Sequence, residues 1–450
     1  MKIDFLRKIS SLKKSRDFKN VSYSLLSYSI TPFVIFITTP LLLKYLGPEN
    51  YGIWVLINSV AAFMTFSNFG LGNALIKLGS EIISDSKDSR NEFNRLFSVT
   101  LTLTILISCL FVIVIFLFGP SILSLFIKGH TDNATLNLSY LLGFITVLKL
   151  LNNVIAASFM AKQRYDLNSK INIAVNQLSV LVYTVIAVLT GSLFWLVIAL
   201  LISSLVLMLI SILVAKKVVQ GIRYSPSLDK KTAKKIIDYG FYSWSQSFIT
   251  SIQGSADKFI IGGLLGPATM GYYTVCMTLV TKIQEIPYAS GGFLLAKFSA
   301  LHETNNYKKI SRVYHTTLIL KSIFIVCATS FVIVFAKEIL AIWISESFAN
   351  QHYELLRILA IGVAISAFSV FPSYCMNAMG FVKINSIISF IMSAISLGFL
   401  YFFIPEFGVY GTGYGRLAGL PVLLFLLYFV ERNVLNKKSY SGKKAEAFNS

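Results

Sequence analysis

The sequence predicts an all-α polytopic membrane protein of twelve transmembrane helices, built as two six-helix repeats that enter the membrane in the same direction. Three observations predict it. Of 450 residues, 55% are hydrophobic and 13% charged, where soluble domains carry about 25% charged; mean hydropathy is +0.70. The cations are sorted by loop. Segments recur at a nearly constant offset. A soluble globular, disordered or coiled-coil chain is excluded.

Spanning helices need about 20 mostly apolar residues. A basic, amphipathic segment (1–21) precedes the first span, roughly 22–43, which carries Ser24, Ser27, Thr31 and Thr38 with Pro32 and Pro40. The second (51–75) follows Leu46-Gly47-Pro48. The third (94–118) is almost wholly apolar, and the fourth (138–160) encloses Lys149. The fifth (170–190) opens on Lys-Ile-Asn and has Asn168, Asn172, Asn176, Ser179 and Tyr183 on one face; the sixth (193–215) is apolar. These spans form an N-terminal bundle, 22–215. A linker, 216–237, holds Lys230, Lys231, Lys234 and Lys235.

The C-terminal bundle, 238–431, repeats the plan. Its first span (238–262) carries Ser243, Gln246, Thr250, Gln253 and Asp257 at helical spacing on one face. The next (270–295) holds Lys282 and Glu285, then Pro287, Gly291 and Gly292. Lys321 lies in the ninth (313–335), and Arg357 and Pro372 in the tenth (353–378). The eleventh (384–404) carries Asn385, Ser389, Ser393 and Ser396; the twelfth (409–431) carries Arg416 beside Gly413 and Gly415. A basic tail, 432–450, follows.

Topology accounts for most of the net charge of +20. Of 40 Lys and Arg, 31 fall in the termini and the loops on their side, and only Lys44, Lys128 and Lys337 fall opposite. By the positive-inside rule both termini are expected in the cytoplasm. Lys149, Lys258, Lys282, Lys321, Arg357 and Arg416 remain within spans, with Asp257 and Glu285 as the only acids.

The repeat is read from matched positions. Leu46-Gly47-Pro48 and Gly52 match Leu265-Gly266-Pro267 and Gly271 at an offset of 219. At that offset Ser24, Ser27, Thr31 and Thr38 correspond to Ser243, Gln246, Thr250 and Asp257. Lys-Ile-Asn recurs at 170–172 and 383–385. Six spans is an even number, so the two bundles run parallel, with a substrate path expected between them.

Residues 46–81, LGPENYGIWVLINSVAAFMTFSNFGLGNALIKLGSE, and their echo at 257–273, DKFIIGGLLGPATMGYY, resemble the polysaccharide (O-antigen type) flippases. These belong to the multidrug/oligosaccharidyl-lipid/polysaccharide exporter superfamily. AKQR at 161–164 and the Gly-rich opening of the last span match more loosely. The resemblance implies a two-lobed bundle. It also implies transport of an undecaprenyl-diphosphate-linked oligosaccharide from the inner to the outer leaflet of a bacterial inner membrane. Family members often carry Asp where this chain has Asn68, so no role of that acid carries over.

Each buried charge costs about 2.5–3.5 kcal/mol at a helix centre, so the intramembrane cations must face partners, a watery cavity or the interface. A cavity lined by Lys149, Lys282 and Arg416 would replace water around a diphosphate. Lys258, Arg357 and Lys321 lie nearer helix ends and equally suit snorkelling. Lys282 equally suits a local pair with Glu285. Gln246, Thr250, Gln253, Asn172 and Asn176 are expected to line a hydrated path, although interhelical bonding would also explain such polar groups. Asp257, and less so Glu285, could load a coupling H+ or Na+; a structural ion pair is the competing reading. The prolines and Gly291-Gly292 mark bends that either swing or stay fixed.

No cofactor or metal is expected: the four cysteines and four histidines lack metal spacing. Gly411, Gly413 and Gly415 have no preceding strand, so they signal close helix packing rather than a dinucleotide site. Expected partners are the lipid-linked oligosaccharide, membrane lipids, a polysaccharide polymerase and a chain-length regulator; no nucleic acid is expected. Two other functions were weighed. A cation-coupled multidrug exporter would favour an acidic or aromatic site, against the intramembrane excess of cations. A membrane polysaccharide polymerase or ligase would need a larger outer loop than this chain has, so a transporter rather than an enzyme is expected.

Overall fold

A computed structural model describes residues 16–64, 68–82, 86–125, 127, 133–289, 291–304 and 306–435. They are helical almost throughout, without strands among the described residues. In chain order the helices are α1 (Arg16–Met64), α2 (Leu71–Ser80), α3 (Lys87–Ser124), α4 (Asn133–Ala161), α5 (Tyr165–Thr190), α6 (Leu193–Val218) and α7 (Lys230–Leu265). Then come α8 (Pro267–Ala289), α9 (Gly291–Glu303), α10 (Tyr307–Val334), α11 (Ala336–Trp343), α12 (Glu346–Ala378), α13 (Val382–Phe407), α14 (Gly411–Leu417) and α15 (Leu420–Phe429). Among the described residues, seven stretches are long and apolar enough to cross a membrane. The chain divides into two compact units, Met1–Ser255 and Ala256–Ser450, the division falling inside α7.

In the first unit α4 packs against α3 and α6, and α1 against α5. In the second, α12 packs against α8, α10 and α11, and α13 against α14. The two fourth helices of the expected repeats are the most enclosed. In α4 and α12, 56% and 67% of the most apolar window is buried, against 11–28% in the other candidate spans. Those others present Phe116, Leu117, Leu213 and Leu320 to the outside, as lipid contact requires.

The repeated Leu-Gly-Pro has one geometry in both places. Gly47 (φ 77°) interrupts α1, and Gly266 (φ 87°) separates α7 from α8. Glycine takes this left-handed conformation without a Cβ penalty, and the following proline suits the first turn of the next helix.

The second span is not the continuous helix that hydropathy predicts. A turn in which Phe69 and Gly70 both have positive φ interrupts it, and a helix resumes at Leu71. The Asn68 side chain stabilises this turn, its Oδ1 accepting from the Gly70 N–H at 2.9 Å and its Nδ2 donating to Asn153 Oδ1 at 3.2 Å. A Cβ on Gly70 would lie 2.2 Å from the Gly240 carbonyl oxygen. Gly72, just after this turn, and Gly291, in the eighth span, stand 219 residues apart. Each is overlain by a side chain of the unit's most enclosed helix. A Cβ on Gly72 would meet Asn153 Oδ1, and one on Gly291 would meet Tyr374 Cζ, both at 2.0 Å.

Candidate functional site

The second unit gathers three polar side chains from three helices. Asp257 comes from the last turns of α7, Tyr273 from the second turn of α8 and Arg416 from α14. Arg416 Nη2 lies 2.8 Å from Asp257 Oδ2 and donates to the Tyr273 hydroxyl oxygen at 2.9 Å. That hydroxyl donates to the same carboxylate oxygen at 2.5 Å, and Asp257 Oδ1 accepts from the Lys258 N–H at 2.8 Å. Asp257 is 6% exposed and Tyr273 fully buried.

Small residues give the guanidinium its room. Gly362 of α12 lies against the Arg416 stem, where a Cβ would come within 2.8 Å of Arg416 Cβ. Gly413 and Gly415 let α14 close on Ile358 and Leu400, the close packing expected of that run. Both carboxylate oxygens of Asp257 are bonded. Arg416 Nε is buried and has no hydrogen-bond partner among the described residues. A buried donor left open is costly, and it leaves this guanidinium one bond to give.

The sequence reading assigned Arg416 to the substrate and Asp257 to a coupling ion. The structure joins them, which matches the competing ion-pair reading for Asp257. It adds Tyr273, whose only signal in the sequence was its place in the echoed segment.

The remaining candidates fall into three groups. Lys282 and Glu285 pair with each other, Nζ lying 2.6 and 2.8 Å from the two carboxylate oxygens at roughly one-third to one-half exposure. Two cations bond the main chain. Lys321 Nζ donates to the Pro287 carbonyl at 3.0 Å, near the end of α8. Arg357 Nε donates to the Ile333 carbonyl at 2.8 Å, in the last turn of α10, and its guanidinium lies over Tyr353.

Lys149 and Lys258 are half-buried and have no anionic partner among the described residues. Lys149 shares a face of α4 with Asn152 and Asn153, about one turn away, and Asn152 Oδ1 is buried without a hydrogen-bond partner among the described residues. Sequence reasoning passed over these two asparagines, although their spacing from Lys149 is visible. Asn172 donates to the Asn168 carbonyl at 2.9 Å, and Asn176 is exposed. The side chains of Gln246, Thr250 and Gln253 lie outside the described residues.

A helical membrane protein whose two units carry the same Leu-Gly-Pro kink, with charges held inside, has the construction of a transporter rather than an enzyme. The likeness to solved structures gives the fold. One is an inward-closed form of the lipid II flippase MurJ, at TM-score 0.76 and 15% identity, covering 91% of this chain and 87% of the other. Another is an inward-facing multidrug resistance MATE transporter of the MOP superfamily, at TM-score 0.68 and 15% identity, covering 91% and 96%. Residues 41–351 match the family described as polysaccharide biosynthesis protein, and the chain belongs to that family. It is also similar to a protein named "Putative O-antigen transporter" from Shigella flexneri, 21% identical over 401 residues, covering 88% of this chain and 92% of the relative.

Proposed function

We propose that this transporter carries an undecaprenyl-diphosphate-linked oligosaccharide, an O-antigen or similar surface-polysaccharide unit, from the inner to the outer leaflet of the bacterial inner membrane. It works by alternating access coupled to H+ or Na+, with both termini cytoplasmic and repeats at 22–215 and 238–431. The family match and the Shigella relative support the substrate class; the sorting of cations supports the orientation. A polysaccharide polymerase and a chain-length regulator would take up the product.

One observation carries the mechanism: Arg416 is largely enclosed, bound to Asp257 and Tyr273, and its buried Nε has no hydrogen-bond partner among the described residues. In this reading the resting pair keeps the guanidinium neutralised. A proton or sodium ion on Asp257 would weaken the pair and free Arg416 for the diphosphate, which it can bind bidentately. Lys149, half-buried and without an anionic partner among the described residues, is the second contact. The pairing of Lys282 with Glu285 supports a lesser role for Lys282, and the main-chain bonds of Lys321 and Arg357 support bracing roles.

The test is complementation of a strain that lacks the gene, read as surface polysaccharide at matched protein level. Arg416→Ala and Lys149→Glu are expected to abolish export. Full export by both variants would contradict the reading. The fold is shared with multidrug exporters, so drug efflux is measured in the same strains; drug resistance without polysaccharide export would favour that alternative.

A further inference from the structure

The first unit contains a basic basin apart from the site above. It is a cavity of about 580 Å³ where the start of α3, the turn between α4 and α5, and the end of α6 meet. Four cations line it, Arg90, Lys162, Arg164 and Lys217, and its lining includes no carboxylate side chain. The lining also has an apolar part, from Phe93, Leu167, Val214 and Val218.

The basin is built rather than incidental. The α4–α5 turn is the Ala161–Arg164 stretch, with Gln163 at positive φ and the Arg164 N–H bonded to the Phe159 carbonyl at 3.1 Å. Asp166, beyond the lining, grips the Arg164 guanidinium at 2.9 and 3.2 Å and fixes its plane. The half-buried Lys162 ammonium lies 5.1 Å from the Phe93 ring centroid. Asn94 closes the floor, its Nδ2 donating to the Gly221 carbonyl at 2.8 Å and its Oδ1 accepting from the Arg223 N–H at 3.3 Å.

Arg164 is paired with Asp166, but the lining carries no carboxylate side chain to offset Lys162 and Lys217, and cations held beside apolar surface favour a bound anion. The apolar wall calls for an anion that carries hydrocarbon. The basin lies at helix ends, where a lipid headgroup sits, and basic pockets between transmembrane helices bind phosphate headgroups. We infer that this basin holds the phosphate of an anionic phospholipid from the leaflet on its side, with Lys162 and Lys217 as the principal contacts. The inference does not depend on the transported substrate.

The experiment is native mass spectrometry of the detergent-purified full-length protein, titrated separately with phosphatidylglycerol, phosphatidylcholine and inorganic pyrophosphate. Phosphatidylglycerol is expected to bind more tightly than the other two. Near-surface lysines contribute about 1 kcal/mol each to anionic lipid binding, so Lys162→Ala with Lys217→Ala should weaken it about 30-fold. The double Arg variant should retain binding and controls for folding. Equal binding by wild type and the double Ala variant, or no preference over phosphatidylcholine, would overturn the inference. Pyrophosphate binding as tightly as the lipid would overturn its lipid part, because the apolar wall would then contribute nothing.

Discussion

At the residue scale, the Arg416–Asp257 pair dictates a particular mutational pattern. Removing one partner of a buried ion pair costs about 3–5 kcal/mol, because the other charge is left uncompensated. Arg416→Ala and Asp257→Ala are each expected to lower the melting temperature of the purified protein sharply. The double variant should recover part of the loss, since no charge is then stranded. Additive losses in that cycle would show that the two do not share one network.

A second residue-scale prediction concerns the loop before α7. Asp229 accepts from the Thr232 hydroxyl and N–H and pairs with Arg95 at 2.8 Å. These partners lower its carboxyl to about 2, the Thr232 hydroxyl contributing most and Arg95 next. A carboxyl lowered from about 3.9 stabilises the fold fully above that value and progressively less as pH falls through about 2. The stability gap between wild type and Thr232→Ala, followed by thermal unfolding, should therefore narrow between about pH 4 and pH 2. A gap constant across that window would contradict the assignment.

At the element scale, the turn in the second span and the Gly291–Tyr374 packing in the eighth are the features to probe. The Gly291 Cα faces the Tyr374 ring with no room for a methyl group. Gly291→Ala should be destabilising and should be relieved in a Tyr374→Ala background, with a coupling of about 0.5–3 kcal/mol in a double-mutant cycle. Lys321→Met removes the lysine donor to the Pro287 carbonyl and is expected to cost about 1–3 kcal/mol, read by thermal unfolding. Hydropathy shows where a span lies but not where its helix stops. Phe63, Met64, Phe66 and Phe69 carry hydrophobicity across this stretch, and the turn depends on Asn68 bonding its own backbone and on Gly240 standing opposite Gly70. The Lys282–Glu285 pair was legible because the two lie one turn apart. The bonding of Asp257 to Arg416 was not, because 159 residues of chain separate them and only packing brings them together.

At the scale of the whole molecule, fold class was the most legible property, because lipid enforces it residue by residue: apolar surface outside and every backbone group paired within a helix. Leu-Gly-Pro, repeated in the sequence, has one geometry in both places, with Gly47 and Gly266 at positive φ. Gly72 and Gly291 each lie under a side chain of the unit's most enclosed helix. The topology itself is open to direct test. In a background with Cys109, Cys276, Cys327 and Cys375 replaced, single cysteines at Lys230 and Lys437 should be shielded from an impermeant thiol reagent in intact cells. One at Lys337 should be labelled. Labelling of the first two would reverse the proposed orientation.

The most direct measurement of the central claim is flipping in proteoliposomes. Purified protein is reconstituted with a fluorescent undecaprenyl-diphosphate-linked oligosaccharide, and outer-leaflet label is followed under an imposed proton or sodium gradient. Wild type is expected to move the lipid at a rate that depends on the gradient. Arg416→Ala should move little, and Asp257→Asn should lose the gradient dependence. Movement at the wild-type rate by Arg416→Ala, or none by wild type under either gradient, would contradict the account.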